Sequence, residues 1–286
     1  MRYLKGSIAL GQEHDYPILR QVIRSHFVTH AQLFEIMKLG GYERDRRVFD
    51  WRLRRLVTHG VVLKLQTPAL RAEPIYSISP TGSLLLQSSG ECFVPLPSPR
   101  GPRDRELKVL HAVELNDLRL TLLRAGLEIL WVAESEIRSR NELTPSGYAK
   151  DYDALVTVSL AGRSARFALE YERTLKSNHE YRAIAKLLED ERAVERVLYL
   201  LPNHDLLSFV AAFFERARRP VFFGMAPAWH EELLEMAVLD PRSGHCSRLR
   251  EVLPERLCLP VAFGLPSPCP HGPPCKSRHV SHLGSD

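Results

Sequence analysis

The sequence lacks any run of apolar residues approaching the roughly 18 consecutive positions that a membrane-spanning helix needs. Its first residues also lack the long apolar core of a secretory signal. The five cysteines are odd in number and follow no repeating framework, which argues against a secreted disulfide scaffold. These absences predict a cytoplasmic protein that keeps its thiols reduced and has no membrane partner.

The short motifs of several enzyme classes are missing as well. The chain contains no G-x-x-x-x-G-K-[S/T] loop for nucleoside triphosphates, no G-x-G-x-x-G turn for dinucleotides and no H-E-x-x-H pair for zinc. A G-x-S-x-G nucleophile elbow is also absent. Chemistry driven by ATP, by dinucleotides or by an esterase-type serine therefore has no support in the sequence.

Positive charge is concentrated at the front of the chain. Residues 1–90 hold 13 Lys and Arg against 7 Asp and Glu, a net charge of +6, whereas residues 91–286 hold 26 against 27, a net charge of −1. Such asymmetry is typical of a nucleic-acid-binding unit joined to a second domain. We therefore expect double-stranded DNA as a partner of residues 1–90.

Helical spacing predicts three helices in this basic region, with Thr29 as the N-cap of the second. Two β-like runs follow, and the loop between them carries Arg71 at its presumed tip. The predicted helices span 18–25, 29–38 and 45–58, and the predicted strands span 61–65 and 75–78. Three helices followed by a β-hairpin predict a winged helix-turn-helix domain, in which Arg71 would contact a minor groove or the phosphate backbone.

The third predicted helix separates apolar from basic side chains. Its apolar face would pack on the first two helices and consists of Phe49, Leu53, Leu56 and Val57. The opposite face would enter a major groove, where arginine reaches phosphates and guanine edges, and consists of Arg44, Arg47, Trp51, Arg54 and Arg55. The alternative is a solvated charged face, with Trp51 packed against a neighbouring domain.

Proline marks two further boundaries. A proline-rich stretch over 91–104 predicts a linker and two units that move relative to each other. The segment 241–286 holds eight prolines and little periodicity, so we expect an irregular or disordered tail. Its zinc-type side chains match no tight zinc knuckle, so we predict no zinc site from Cys269, His271, Cys275, His279 and His282.

Between these boundaries, residues 105–240 predict an α/β domain with a mixed sheet. The predicted helices are 105–124, 178–192, 205–216 and 229–236, and the predicted strands are 128–133, 152–160, 165–172, 196–201 and 221–224. A hairpin-sized turn over 161–164 joins the second and third strands. The complete chain is thus predicted to be α/β, or α+β overall.

Acidic side chains meet at one end of the predicted hairpin. Asp153 lies near the start of its strand and Glu170 near the end of the next, so an antiparallel pairing brings them together, and Glu134 can complete the cluster. Two carboxylates this close repel unless a cation or proton lies between them, which points to a divalent metal. The alternative is an exposed strand end where Glu170 and Glu172 form surface ion pairs with Arg166, Arg173 or Lys176.

The order of elements and four short motifs resemble a known combination of domains. The motifs are LHAVELNDLR over 110–119, WVAE over 131–134, YDALV over 152–156 and LEYERT over 169–174. They resemble the PD-(D/E)xK phosphodiesterase fold and, more widely, the bacterial replication-relaxation family, which joins a winged helix to such a domain. The resemblance implies a role in plasmid or mobile-element replication or mobilisation, with replication or mobilisation proteins as partners.

The resemblance also implies roles for individual residues. Asp153 and Glu170 take the places of the fold's two acids, which bind Mg²⁺, with Mn²⁺ as a substitute. Tyr152 stands where the motif has proline, and Glu172 stands where it has lysine, so Lys176 is the candidate that supplies the missing cation. A Mg²⁺-dependent DNA endonuclease that nicks its target is one hypothesis, and a non-enzymatic DNA-binding regulator with a degenerate nuclease fold is the other. Winged helices often bind paired half-sites, so a homodimer is also expected.

Overall fold

The computed structural model describes residues 8–70, 73–160, 163–253 and 256–257. These residues form a mixed α/β protein with ten α-helices, one small sheet and one large mixed sheet. None of the helices in these ranges is both long enough and apolar enough to cross a membrane. Arg71 and the zinc-type side chains of the tail lie outside the described residues.

The N-terminal unit packs four helices around a three-stranded antiparallel sheet with the order β1-β3-β2. Its elements are α1 (Asp15–Ser25), β1 (Val28–Thr29), α2 (His30–Leu39), α3 (Arg46–Thr58), β2 (Val62–Leu65), β3 (Ile75–Ile78) and α4 (Pro80–Ser88). The predicted cap is confirmed, since Thr29 Oγ1 accepts a hydrogen bond from Gln32 N and the Gln32 side chain accepts one from Thr29 N. Helix α3 begins in the same way, because the Asp45 carboxylate accepts from two amides of its first turn.

Two short elements of this unit were not predicted. Strand β1 has two residues and pairs with β3, so it carries no periodic pattern of its own. Helix α4 has Ser79 as its N-cap and Pro80 in its first turn, which is a favourable start signal. The helix is only nine residues long, so it carries little periodic pattern. The unit closes around a core that includes Ile18, Leu33 and Phe49.

The larger unit contains a sheet with the strand order β10-β9-β8-β7-β6-β5-β4, and β11 pairs with β6 outside this path. Strands β6, β7 and β8 run parallel to one another, and the other pairings are antiparallel. The helices are α5 (Pro102–Arg124), α6 (Glu134–Leu143), α7 (Asn178–Glu189), α8 (His204–Ala211), α9 (Ala226–Glu232) and α10 (Leu249–Val252). The strands are β4 (Glu128–Ala133), β5 (Ala154–Leu160), β6 (Arg163–Tyr171), β7 (Val197–Leu201), β8 (Val221–Met225), β9 (Ala237–Asp240), β10 (His245–Arg248) and β11 (Arg256–Leu257).

Helices cover both faces of this sheet. Leu118 of α5, Trp229 of α9 and Leu249 of α10 pack with the strands on one face. Helices α6, α7 and α8 supply Ile137, Tyr181 and further apolar residues on the other face. The central strand β7 is buried along its whole length, as expected for a strand between two helical layers.

Part of the segment predicted to be irregular is regular instead. Strand β10 and helix α10 lie within 241–286, and β10 extends the large sheet by pairing with β9. The side chains of β10 are mostly exposed, so this edge strand lacks the apolar alternation from which a strand is recognised. The regular fold therefore continues past the predicted boundary at 240.

The two units contact each other directly through α5, although the proline-rich stretch predicted units that move. The buried Asn116 side chain donates a hydrogen bond to Phe27 O at 2.9 Å, and Gln32 Nε2 donates one to Val113 O at 2.8 Å. Phe27 also joins an apolar cluster with side chains of α5. Because these buried polar groups are satisfied only when the units are docked, the contacts favour one fixed arrangement.

Candidate functional site

The sheet register brings the predicted pair of acids together. Ala154 of β5 pairs with Leu169 of β6, so Asp153 and Glu170 are the next pair along the antiparallel ladder. The neighbouring strand β4 ends at Ala133, which pairs with Ala154, and Glu134 follows it directly. Three strands therefore carry carboxylates to the same end of the sheet, a group we call the acid cluster (Glu134, Asp153, Glu170 and Glu172).

Asp153 is held by a histidine and a backbone amide. Its Oδ2 accepts a hydrogen bond from Tyr171 N at 2.7 Å, and its Oδ1 lies 3.2 Å from His111 Nε2. Burial alone would raise the pKa of Asp153, but the charge and bond of His111 outweigh it and hold that pKa below its ordinary value. Burial by itself lowers the pKa of His111, but Asp153 outweighs it and raises that pKa to about 9. The two side chains thus form an ion pair at neutral pH.

Glu170 is more deeply buried than Asp153. Its Oε2 lies 2.7 Å from Lys150 Nζ, whereas its Oε1 is buried and has no hydrogen-bond partner among the described residues. Burial raises the pKa of Glu170 to about 7, against the opposing charge of Lys150 and with the help of Asp153. The Tyr199 hydroxyl, on the neighbouring strand in register with Glu170, is likewise buried without a described partner.

Lys150 was not predicted as a site residue. It lies in the irregular segment before β5, and a distant acid fixes that segment: Glu191 Oε2 accepts hydrogen bonds from Ala149 N and from the Tyr152 hydroxyl, both at 2.9 Å. Tyr152, which stands where the family motif has proline, therefore anchors the approach to Asp153. The only signal in the sequence was the position of Lys150 three residues before Asp153.

Glu172 pairs with Lys176, the residue predicted to supply the missing cation. The Lys176 ammonium contacts Glu172 Oε2 from the segment that leads into α7. Burial raises the pKa of Glu172, and the charge of Lys176 opposes that rise. A cation thus lies next to the position where the motif has lysine, although it comes from four residues further along the chain.

The alternative of an exposed strand end is wrong about exposure, although the ion pair of Glu172 with Lys176 that it included is present. Glu170 is 6% exposed and Glu172 is 4% exposed, so neither is a surface residue. Arg166 donates to the Tyr148 hydroxyl, and Arg173 pairs with Glu114, so these two arginines have other partners. Since Glu170 and Glu172 are buried and Glu134 and Asp153 are half-buried, negative charge in the acid cluster is costly unless each carboxylate is paired or protonated.

Glu134 is half-buried and only partly protonated at neutral pH. Burial, followed by the charge of Asp153, raises the pKa of Glu134 to about 7. The cluster therefore sets four carboxyl groups against three cationic side chains, namely His111, Lys150 and Lys176. Close to neutral pH, Glu134 and Glu170 each exchange a proton easily, and this is the property that general acids and bases need.

The acid cluster contains one buried carboxylate oxygen without a described partner. In the described ranges, no group of three or more His, Cys, Asp or Glu side chains has the arrangement of a metal site. Glu170 Oε1, however, is a buried carboxylate oxygen without a partner beside Asp153, and Mg²⁺ prefers oxygen ligands of this kind. Both oxygens of Asp153 already bind Tyr171 N and His111.

Helix α3 exposes most of its predicted basic face. Arg44, Arg47 and Arg54 are exposed, and their side chains form no hydrogen bond or ion pair with any described residue. Trp51 lies among them with 56% of its surface exposed, so the alternative that it packs against the other unit is wrong. As predicted, the opposite face buries Phe49, Leu53 and Leu56, whereas Val57 is half-buried.

Arg55 differs from the other arginines of α3. Its guanidinium pairs with the buried carboxylate of Asp15 and lies 5.0 Å from the centroid of the Trp51 ring. Arg55 therefore orients Trp51 and neutralises Asp15, and it is not free to bind a ligand in the way the sequence predicted.

Comparisons with known proteins find no similar protein. No family model matches the chain, and no significant match was found among curated proteins or solved structures.

Proposed function

We propose that the chain is a DNA-binding protein whose N-terminal unit is a winged helix that inserts α3 into the major groove of duplex DNA. The observation that carries this proposal is that Arg47 and Arg54 of α3, and Arg44 just before its N-cap Asp45, are exposed and have no described partner. Free arginines on a helix are suited to phosphates and to guanine edges. The order of three helices followed by the β2-β3 hairpin supports the winged-helix assignment.

The acids next to this face support the same conclusion. Asp50 lies 3.0 Å from His30 Nε2, and Asp15 pairs with Arg55. Asp45 is used as the N-cap of α3. Since each of these carboxylates has a partner within the unit, the positive charge of the free arginines is not cancelled locally, and a polyanion is the partner whose charge matches it.

The DNA-binding proposal is tested by measuring fluorescence anisotropy of a labelled duplex with a double variant, Arg47→Ala with Arg54→Ala. The matched control is Arg182→Ala with Arg216→Ala, which removes the same charge from exposed positions of the larger unit. We expect the α3 variant to bind much more weakly than wild type and the control to bind like wild type. Equal binding by the α3 variant and wild type would refute the assignment of α3.

A second candidate function is phosphodiester cleavage at the acid cluster, with the larger unit as a PD-(D/E)xK-like domain. The element order α5-β4-α6-β5-β6-α7-β7 supports this fold apart from α6, which the resemblance did not imply, and the change from antiparallel to parallel pairing at β6 supports it too. The specific observation in favour of cleavage is the adjacency of Asp153 to Glu170 with its unpartnered Oε1. Asp153 and Glu170 would hold Mg²⁺, or Mn²⁺ as a substitute, and a bound ion of this kind activates water and stabilises charge on the phosphate.

The protein's own residues would complete such a site. Lys176 brings positive charge to the place of the motif lysine, where it can balance an anionic phosphate, while Glu172 keeps it in position. Glu134, with a pKa of about 7, can accept or donate a proton near neutral pH. A non-enzymatic regulator would use the same fold only to bind DNA or protein. It would need neither the cation at Lys176 nor a carboxyl group that titrates near neutral pH.

Incubation with supercoiled plasmid and Mg²⁺ or Mn²⁺ separates these two functions. Nicking by wild type that is lost in Asp153→Ala and in Glu170→Ala, but kept in the exposed control Glu215→Ala, would support the nuclease. Absence of nicking under every condition would favour the regulator. Equal nicking by all four proteins would identify a contaminant and remove the support for cleavage.

The biological setting that we propose is replication or mobilisation of a plasmid or other mobile element. It rests on the resemblance of the YDALV and LEYERT motifs, which carry Asp153, Glu170 and Glu172. Replication or mobilisation proteins are then the expected protein partners. A homodimer on paired half-sites is the arrangement in which winged helices often act.

A further inference from the structure

Trp51 stands at the centre of the basic face of α3. At 100° per residue, Arg47 and Arg54 both lie on one side of Trp51, one turn before it and one turn after it, and the buried side chains Phe49 and Leu56 lie roughly opposite. Val48, one turn before Trp51 on its other side, is also 38% exposed. The free arginines of α3 therefore border an exposed apolar patch.

The Trp51 ring is oriented by its neighbours. The Arg55 guanidinium lies over it at 5.0 Å from the ring centroid, and Asp15 fixes that guanidinium through an ion pair. Asp15 is in turn 2% exposed and caps the Gly11 amide at 2.7 Å. Because the ring is restrained before any partner arrives, a contact made by its exposed part loses little conformational entropy on binding.

The charge around Trp51 identifies the partner surface. Free arginines one turn before and one turn after Trp51 favour a partner that carries a row of phosphates beside an apolar patch, which describes the major groove of duplex DNA. The apolar group that this groove presents is the C5 methyl of thymine. We propose that Trp51 contacts thymine methyl groups and gives the protein a preference for thymine-containing sites. This inference rests on the proposed DNA-binding function and adds the base that the helix selects.

The test compares duplexes that differ only in this methyl group. Binding is measured to an alternating A·T duplex and to the same duplex with deoxyuridine in place of every thymidine. We expect wild type to bind the thymidine duplex roughly fourfold more tightly for each methyl group that it buries. A second pair, a G·C duplex with and without 5-methylcytosine, adds a methyl at the same groove position and should change affinity in the same direction.

Variants assign the effect to Trp51. Trp51→Ala should bind the thymidine and deoxyuridine duplexes equally, whereas Leu84→Ala should keep the preference, since Leu84 is 61% exposed on α4 and away from α3. Arg47→Ala should weaken binding to both duplexes by the same factor, because phosphate contacts carry no sequence information. Thermal melting of each variant verifies folding.

Each other outcome overturns the inference. Equal binding of wild type to the two duplexes, which needs no variant, would show that no methyl group is contacted while DNA binding stands. A preference that survives in Trp51→Ala would mean that another residue contacts the methyl. No binding to any duplex would refute both this inference and the proposed function.

Discussion

Removing Arg47 and Arg54 should change the salt dependence of DNA binding as well as its strength. Both side chains are exposed and free of described partners, so each can neutralise one phosphate and release condensed counterions. The logarithm of the binding constant falls with the logarithm of salt concentration by about 0.9 for each phosphate neutralised. The double variant Arg47→Ala with Arg54→Ala should therefore have a slope that is smaller than that of wild type by about 1.8.

This difference in slope can be measured as a difference in how much affinity each protein loses when salt is added. Between about 50 and 200 mM salt, wild-type affinity should fall about 12-fold more than the affinity of the double variant. Anisotropy titrations of one labelled duplex across this range measure both slopes. The advantage of wild type should be greatest at low salt and should shrink as salt is added.

The control for this experiment is the pair Arg182→Ala with Arg216→Ala, which lowers the net charge equally but lies in the larger unit. It should keep the wild-type slope, since general charge is screened within about one Debye length. If the control and the α3 variant lose the same slope, DNA is held by overall charge and not by α3. If neither loses any, the arginines of α3 do not contact phosphate.

Two further predictions concern the docked units and the acid cluster. Asn116→Ala should lower the free energy of unfolding by about 1–3 kcal/mol, because it leaves the buried Phe27 carbonyl without its donor. An unchanged midpoint of urea unfolding would show that this hydrogen bond does not hold the units together. The raised pKa of His111 means that its ion pair with Asp153 contributes stability fully below pH 6.5 and loses it as the pH rises to about 9. The melting temperature of wild type should therefore fall more across this pH interval than that of His111→Gln. If the melting temperatures of the two proteins change in parallel with pH, the ion pair is excluded.

Elements with a clear local pattern were predictable. Strand β4 was expected at 128–133 and spans Glu128–Ala133, and α3 was expected at 45–58 and spans Arg46–Thr58. Helix α6 was missed because it buries one large apolar side chain, Ile137, and so lacks an apolar stripe. Its stability comes from packing against the sheet and α1, which no local window contains.

The acid cluster was predictable only to the extent that the β5-β6 hairpin determined it. Asp153 and Glu170 met as expected because the antiparallel ladder of the two strands runs in register as far as Ala154 and Leu169. Lys150 could not be predicted, since its segment has no periodicity and Glu191, about forty residues away, holds it in place. The contact of His111 with Asp153 could not be predicted without knowing how α5 crosses the sheet. That crossing depends on the packing of α5 against the sheet on one side and against the N-terminal unit on the other.

The central claim is that α3 contacts duplex DNA, and photocrosslinking tests it most directly. A duplex with 5-iododeoxyuridine in place of thymidine carries a reactive atom at the methyl position of the major groove. After irradiation and trypsin digestion, we predict that DNA is attached to the peptide 48–52, which contains Trp51. Crosslinks found only in the larger unit, or absent while the duplex remains bound, would contradict the account.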